Sequence, residues 1–454
     1  MAKTKVHYVC QQCGRAAPKP LGRCPQCGEW NSMVEEFVEP HAGATNPRLM
    51  ASHPPRRLSE IEGDGQERIG LELQEFARVL GGGIVPGSVV LIGGDPGIGK
   101  STLLLQVALS VPGKVLYVSG EESAPQIKAR ALRLLEGQSG PADQLYLLTE
   151  TDVERIVAQV EALQPALLMV DSIQTMQLAD IGSAAGSISQ VRESAARLQA
   201  MAKASGVAVF LVGHVTKEGA IAGPRVLEHL VDTVLYLEGD AFHAYRLLRS
   251  VKNRFGPTTE VGVFEMRGSG MIEVPNPSEA FLAERMAEAP GSAIALTMEG
   301  TRPLLVEVQG LTSPTPFGNP RRTANGIDFN RLLLTVAVLS RRVGLPLGEQ
   351  DVFVNVVGGL QVREPGIDLA LAAAIASSAR DRALPPDLAM VGEVGLSGEM
   401  RTVSQLEARL NEAARLGFRR AIVPAGGRQG SSGSQTLEVL PARSLQEALK
   451  FALG

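Results

Sequence analysis

No apolar run in the chain approaches 18 residues, so nothing in it reads as a membrane-spanning helix. The first residues, MAKTKVHYVCQQC, lack the apolar core of a secretory signal. Charge of one sign is also missing. With 44 Lys and Arg against 48 Asp and Glu, the formal net charge is −4, so any nucleic acid must be held by local basic patches. Cysteine is scarce, and its 4 copies all fall within residues 10–27. Such clustering without an export signal argues for metal in a reducing compartment rather than a disulfide framework. These absences lead us to expect a cytoplasmic protein with no membrane partner. What is present is ordinary globular material, 44% hydrophobic and 20% charged over 454 residues. That length exceeds what one core sustains, so two or three domains are expected.

The chemistry centres on Val89–Leu105, VVLIGGDPGIGKSTLLL. A β-branched apolar run ends in glycine, and a Leu-rich helix follows. Between them lies G-x-x-x-x-G-K-[ST], the phosphate-binding loop, in its required strand–loop–helix setting. Gly94, Asp95, Pro96, Gly97, Ile98, Gly99, Lys100, Ser101 and Thr102 are the candidate nucleotide contacts. The glycines let successive N–H groups converge on phosphate, and the helix N-terminus favours the anion. Lys100 would reach the β- and γ-phosphates, and Ser101 would ligate Mg²⁺.

Upstream, Cys10, Cys13, Cys24 and Cys27 form two C-x-x-C-G knuckles. Four thiolates suit tetrahedral Zn²⁺, whose binding would supply the folding energy of so small a module, on the order of 10–16 kcal/mol. A dithiol redox pair or an iron site is the alternative, but no catalytic partner is evident nearby. Residues 38–57, rich in Pro, Ala and polar side chains, read as a flexible linker.

From Leu58 onward strands and helices alternate, as in a mostly parallel α/β sheet. Lys114–Ser119 is a buried strand ending at Glu121 and Glu122. Glu121 can polarise the water that attacks a γ-phosphate, or these acids can complement a helix dipole. Ala166–Asp171 is a further buried strand whose terminal Asp171 suits Mg²⁺ held through water. Gln177–Gln190 has little to bury and is expected to be mobile. Val207–Gly213 ends at His214, which either senses the γ-phosphate or simply ends a strand. The glycine-rich run after it contains Lys217 and Arg225, candidates for gripping a polymer. Val231–Leu237 and Ala244–Val251 read as an edge hairpin leading to Lys252-Asn253-Arg254-Phe255-Gly256. At a subunit boundary Lys252 and Arg254 could act on a neighbour's nucleotide, and they are also DNA-contact candidates.

The four cysteines, GDPGIGKS, VSGEES, MVDSIQT and KNRFG occur together and in this order. In that combination the chain resembles the RadA (Sms) family of bacterial DNA-repair proteins over essentially its whole length. The resemblance implies an α/β fold with a RecA-like P-loop ATPase core, a small four-Cys zinc module and a C-terminal α+β domain similar to Lon protease. The corresponding boundaries are 1–37 for zinc, 38–57 for the linker, 58–276 for the ATPase and 277–454 for the last domain. It implies ATP, Mg²⁺ and Zn²⁺ as cofactors, single-stranded and branched DNA as partners, and contacts with a recombinase filament and other repair proteins. It further implies a hexameric ring at the nucleoid that drives branch migration. In it Glu121 would be the catalytic acid, while Lys252 and Arg254 would act in trans. An ATP-switched scaffold without motor activity is the alternative.

A Lon-type peptidase needs a Ser and a Lys. The matching helix opens Arg363-Glu364-Pro365-Gly366-Ile367-Asp368 with no Ser, and no Lys occurs between Lys252 and Lys450. Arginine cannot stand in, because it does not deprotonate in proteins. Peptidase chemistry is therefore not expected, and Arg321-Arg322 and Arg341-Arg342 are left as solvated charge or DNA contacts.

Overall fold

In a computed structural model of the chain, the described residues are 5–10, 16–26, 28–30, 32–38, 57, 67–135, 142–213, 224–239, 244–283, 285–286, 288–315, 318–426 and 437–454. Most of the expected linker lies outside them. They fall into two compact units, Met1–Ala241 with Arg246–Glu273, and Phe242–Tyr245 with Val274–Gly454. Among the described residues no helix is long and apolar enough to cross a membrane.

The first unit begins with a three-stranded antiparallel sheet of β1 (Lys5–Cys10), β2 (Ala16–Ala17) and β3 (Met33–Val38), with β1 in the middle. A nine-stranded sheet follows, formed by β4 (Val89–Gly94), β5 (Val115–Ser119), β6 (Leu145–Thr149), β7 (Leu167–Asp171), β8 (Ala208–Val212), β9 (Thr233–Glu238), β10 (Tyr245–Asn253), β11 (Val261–Arg267) and β12 (Gly270–Glu273). Its order is β12-β11-β10-β9-β4-β8-β7-β5-β6, and the six strands from β9 to β6 are parallel.

The central strands β4, β5, β7 and β8 are buried at every position because both sheet faces are covered. Val90, Ile92, Tyr117, Met169 and Phe210 share one core with α1 (Gln74–Leu80), α2 (Lys100–Ser110) and α3 (Ala124–Leu134). Val89, Leu91, Val118, Val170 and Leu211 share the other with α4 (Val153–Leu163) and α5 (Ile188–Ser205). The short α6 (Pro224–Leu227) precedes β9.

Two expectations are corrected here. The hairpin of β9 and β10 is not at an edge: β9 lies directly beside β4, and β11 and β12 extend the sheet beyond β10. The segment Gln177–Gln190 is not left without an anchor. The buried Gln190 side chain donates to the carbonyls of Leu178 (3.2 Å), Ile181 (3.0 Å) and Ser183 (3.0 Å), and accepts from Leu178 N (2.9 Å). One amide does there what apolar side chains do elsewhere.

The second unit contains α7 (Pro277–Leu282) and a seven-stranded sheet with two added short strands. Its strands are β13 (Ser292–Glu299), β14 (Arg302–Pro314), β15 (Arg322–Asn325), β16 (Gln350–Val356), β17 (Leu388–Met390), β20 (Arg420–Pro424) and β21 (Glu438–Ala442), in the order β15-β16-β14-β13-β17-β20-β21. The strands β18 (Glu393–Val394) and β19 (Met400–Arg401) pair separately. Four helices complete it: α8 (Phe329–Val338), α9 (Asp368–Ala379), α10 (Leu406–Arg415) and α11 (Leu445–Leu453). The alanine-rich α9 is buried from Asp368 to Ser377. It lies so close to β14 that a Cβ on Gly310 would come within 2.9 Å of the Ala374 backbone. Only glycine permits that approach.

Candidate nucleotide site

The strand β4 delivers the phosphate-binding loop to the carboxyl edge of the parallel sheet, where open α/β sheets bind ligands. Gly97 and Gly99 take φ values of 75° and 110°. At Gly99 the left-handed backbone disfavours a side chain, and a Cβ there would push aside the terminal methyl groups of Met266 and Met271. These methionines come from the β11–β12 ribbon, which α2 grips through Gln106. That amide donates to Met271 O (3.0 Å) and accepts from Met271 N (2.8 Å). From β10, buried Arg246 donates its Nε hydrogen to Ile98 O (3.2 Å). The loop is thus braced from the antiparallel side of the sheet.

Lys100 is 3% exposed, and its Nζ donates to Gly94 O (2.7 Å) and Asp95 O (2.9 Å). Burial lowers its pKa to about 8, against the opposing pull of Asp171, Asp95 and Glu121. An added phosphate would raise that value. ATP affinity is therefore expected to be full well below pH 8 and to fall above it, approaching about tenfold per pH unit. Calorimetric titrations across this range would measure it, and a flat profile would mean that the Lys100 ammonium keeps its charge throughout.

The two acids stand side by side because β5 and β7 are neighbours, with Ser119 opposite Asp171. Asp171 is buried, and its Oδ2 accepts from the Tyr117 hydroxyl (2.6 Å). Burial and the adjacent carboxylate push the Tyr117 phenol well above its usual pKa, so it stays a donor. Glu121 is exposed and accepts from Ser172 Oγ (2.8 Å), and the Asp171–Ser172 peptide is cis. Neither acid is the N-cap of the helix that follows. Ser123 caps α3 in a capping box with Gln126, and Glu122 is paired with Arg130. Glu121 is left facing outward at the strand end.

In the small N-terminal sheet, Cys10 ends β1 and Cys24 begins a tight turn, with Gly28 N donating to Cys24 O (2.9 Å). Both sulfur-bearing residues are essentially buried. Cys13 and Cys27 lie outside the described residues, as do His214 and Lys217. Arg225 falls in α6, but its side chain is likewise not described. Two buried thiols on separate knuckles are a donor set that fits Zn²⁺. The hydroxyl of Ser101 and the carboxylate of Asp171 are oxygen donors that fit Mg²⁺.

Comparison with known proteins bears on both sites. Residues 64–220 match the AAA domain family, and residues 8–35 match the rubredoxin metal binding domain. "DNA repair protein RadA" of Bacillus subtilis (strain 168) is 53% identical over 463 residues, covering all of both chains. The proteins of the same name from Halalkalibacterium halodurans and Streptococcus pyogenes serotype M3 are each 51% identical, over 100% and 99% of both chains. The chain belongs to the RadA family of DNA repair proteins. As a RadA-family member with an AAA-type ATPase domain, it is an ATP-hydrolysing protein whose cofactors are ATP, Mg²⁺ and Zn²⁺.

The KNRFG segment of this RadA-family chain lies away from its own phosphate-binding loop. Lys252 pairs with Val234 and Asn253 with Thr233 on β9, while Thr233 and Val234 pair with Val90 and Leu91 at the start of β4. Gly94, where the loop begins, pairs with Leu237. Lys252 and Arg254 therefore sit about 10 Å or more back along the strands, at the opposite edge. Lys252 Nζ donates to Glu228 O (2.6 Å) and Val231 O (2.8 Å), and burial lowers its pKa. Arg254 pairs with Asp232 (3.1 Å), whose other oxygen accepts from Val89 N (3.1 Å). One chain does not bring these cations to its own loop.

In the second unit, residues 334–427 match the family described as subunit ChlI of Mg-chelatase. Arg409 of α10 is fully buried and makes a forked pair with Glu364, and it also donates to Leu296 O (2.7 Å) and Ser404 O (3.0 Å). Arg322 is turned onto the Leu347 carbonyl (2.8 Å), which accounts for one of the cations considered for DNA. Sequence reasoning missed Arg246, Gln106, Tyr117 and Ser172. Ser172 lies in the MVDSIQT motif directly after Asp171, which could have flagged it; the other three lie in no motif.

Proposed function

We propose that the chain is a DNA-stimulated ATPase acting as a motor in recombinational repair, binding single-stranded and branched DNA and driving branch migration. It would work at the nucleoid as a hexameric ring, in contact with a recombinase filament and other repair proteins. The observation that carries this reading is the separation of the site parts. The phosphate-binding loop, Glu121 and Asp171 gather at one sheet edge and Lys252 and Arg254 lie at the other, so in this reading a neighbouring copy supplies the two cations.

In that site the backbone N–H groups of the 94–102 loop, Pro96 having none, and Lys100 bind the ATP phosphates. Ser101 and, through water, Asp171 would hold Mg²⁺, which would neutralise phosphate charge when bound. Glu121 takes a proton from the attacking water, whose oxygen bonds to the γ-phosphorus as the bond to the β–γ bridging oxygen breaks, leaving ADP and phosphate. Lys252 and Arg254 of the adjacent subunit stabilise the charge that develops. His214 would sense the γ-phosphate, and Lys217 and Arg225 would meet DNA. The domains would follow the boundaries 1–37, 38–57, 58–276 and 277–454, the last of them proteolytically silent.

The test is ATP hydrolysis with and without single-stranded DNA at two salt concentrations. We expect stimulation that weakens at higher salt, because phosphate contacts release counterions. Equal rates with and without DNA would replace the motor with an ATP-switched scaffold.

A further inference from the structure

The two acids proposed for hydrolysis are each gripped by a hydroxyl belonging to the other's strand. Tyr117 on β5 donates to Asp171 at the end of β7 (2.6 Å), and Ser172, just after β7, donates to Glu121, just after β5 (2.8 Å). We propose that Tyr117 and Ser172 are positioning residues for ATP hydrolysis, forming crossed latches that fix the Mg²⁺-side carboxylate and the water-side carboxylate relative to each other. The inference rests on the roles given above to Asp171 and Glu121.

Several features make the latches rigid. Both hydroxyl-bearing residues are fully buried, so neither can swing to another rotamer freely. The backbone around them is tied: Gly120 N donates to Asp171 O (3.0 Å), and Thr175 returns its Oγ1 hydrogen to Ser172 O (2.8 Å). Thr175 also fills the space beside Gly120, where a Cβ would collide with it. Glu121, by contrast, is exposed and has three side-chain torsions to restrain. A terminal carboxylate torsion is broad, so without a donor on Oδ2 the plane of the Asp171 carboxylate can rotate away from the metal side. Hydrogen bonds to ionised groups are the stronger kind, and outer partners of metal-binding acids set their orientation.

The test uses the full-length protein. Tyr117→Phe keeps the ring and removes only the hydroxyl. We expect it to weaken Mn²⁺ binding about tenfold, read by electron paramagnetic resonance in the presence of a non-hydrolysable ATP analogue. Binding of a fluorescent ATP analogue in EDTA should be unchanged. Ser172→Ala should lower kcat about tenfold with the KM for ATP and the Mn²⁺ affinity unchanged. Wild-type Mn²⁺ affinity in Tyr117→Phe together with wild-type kcat in Ser172→Ala would overturn the latches. If Tyr117→Phe does not fold, the Ser172→Ala split between kcat and KM decides alone. Asp171→Asn separates the two levels of argument. If it binds Mn²⁺ normally, the metal role of Asp171 fails and the latches with it. If it loses Mn²⁺ while Tyr117→Phe does not, the metal role of Asp171 stands and the Tyr117 latch fails.

Discussion

Arg254→Ala is expected to lower ATP turnover by about 10³-fold or more, the range found for arginine fingers. The Arg254 side chain is 53% exposed, but its partner Asp232 is buried and would keep the Val89 N–H as a donor (3.1 Å), so thermal melting of the variant accompanies the rate measurement. The register of β9 and β10 makes the loss interpretable, because Arg254 cannot approach its own loop along those strands. Its effect must then appear in a neighbour. Mixing Arg254→Ala protein with Glu121→Gln protein is the decisive form of the experiment. Neither is active alone, but a mixed interface can join an intact Glu121 to an intact Arg254. Recovery of part of the wild-type rate on mixing is the expected result. A mixture no faster than its components would mean that sites are not shared between copies.

Glu121→Gln itself is expected to lower kcat by about 10²–10⁴-fold while leaving ATP binding close to normal. Glutamine keeps the length of the side chain but cannot take a proton from water. Because the acid stands beyond the end of β5 and not among the loop N–H groups, its removal should not disturb phosphate contacts. The adjacent acid provides the control. Glu122 is engaged by Arg130, so Glu122→Gln should retain most of the rate. Single-turnover hydrolysis and equilibrium nucleotide binding on both variants separate the two acids. Comparable losses from both would withdraw the assignment of Glu121.

The parts of the site that the sequence made legible are those written locally. A phosphate-binding loop is one continuous segment, and an apolar strand ending in an acid places that acid at the ligand edge by fold geometry alone. Partners brought together by sheet order were not legible. Tyr117 sits inside VLYVS and reads as core, which it also is; only the pairing of β5 with β7 reveals its second role. Arg246 lies 148 residues from the Ile98 carbonyl it holds. The β9–β10 hairpin looked like an edge because its local pattern is complete, whereas its neighbour β4 comes from far upstream. Gln177–Gln190 looked unanchored because composition counts apolar residues, and its anchor is a buried amide.

The Arg409–Glu364 pair closes a road in sequence space. Glu364 Oε2 is met by Arg409, by Thr297 Oγ1 (3.0 Å) and by Met298 N (2.8 Å), and a guanidinium's fixed fork serves two oxygens and two carbonyls at once. A lysine at 409 presents one point charge to the same surroundings and leaves part of them unanswered. Breaking one side of a buried pair typically costs about 3–5 kcal/mol, whereas replacing both sides together can be neutral. Changing either position alone would therefore cross an unstable intermediate, and the pair acts as a ratchet on both.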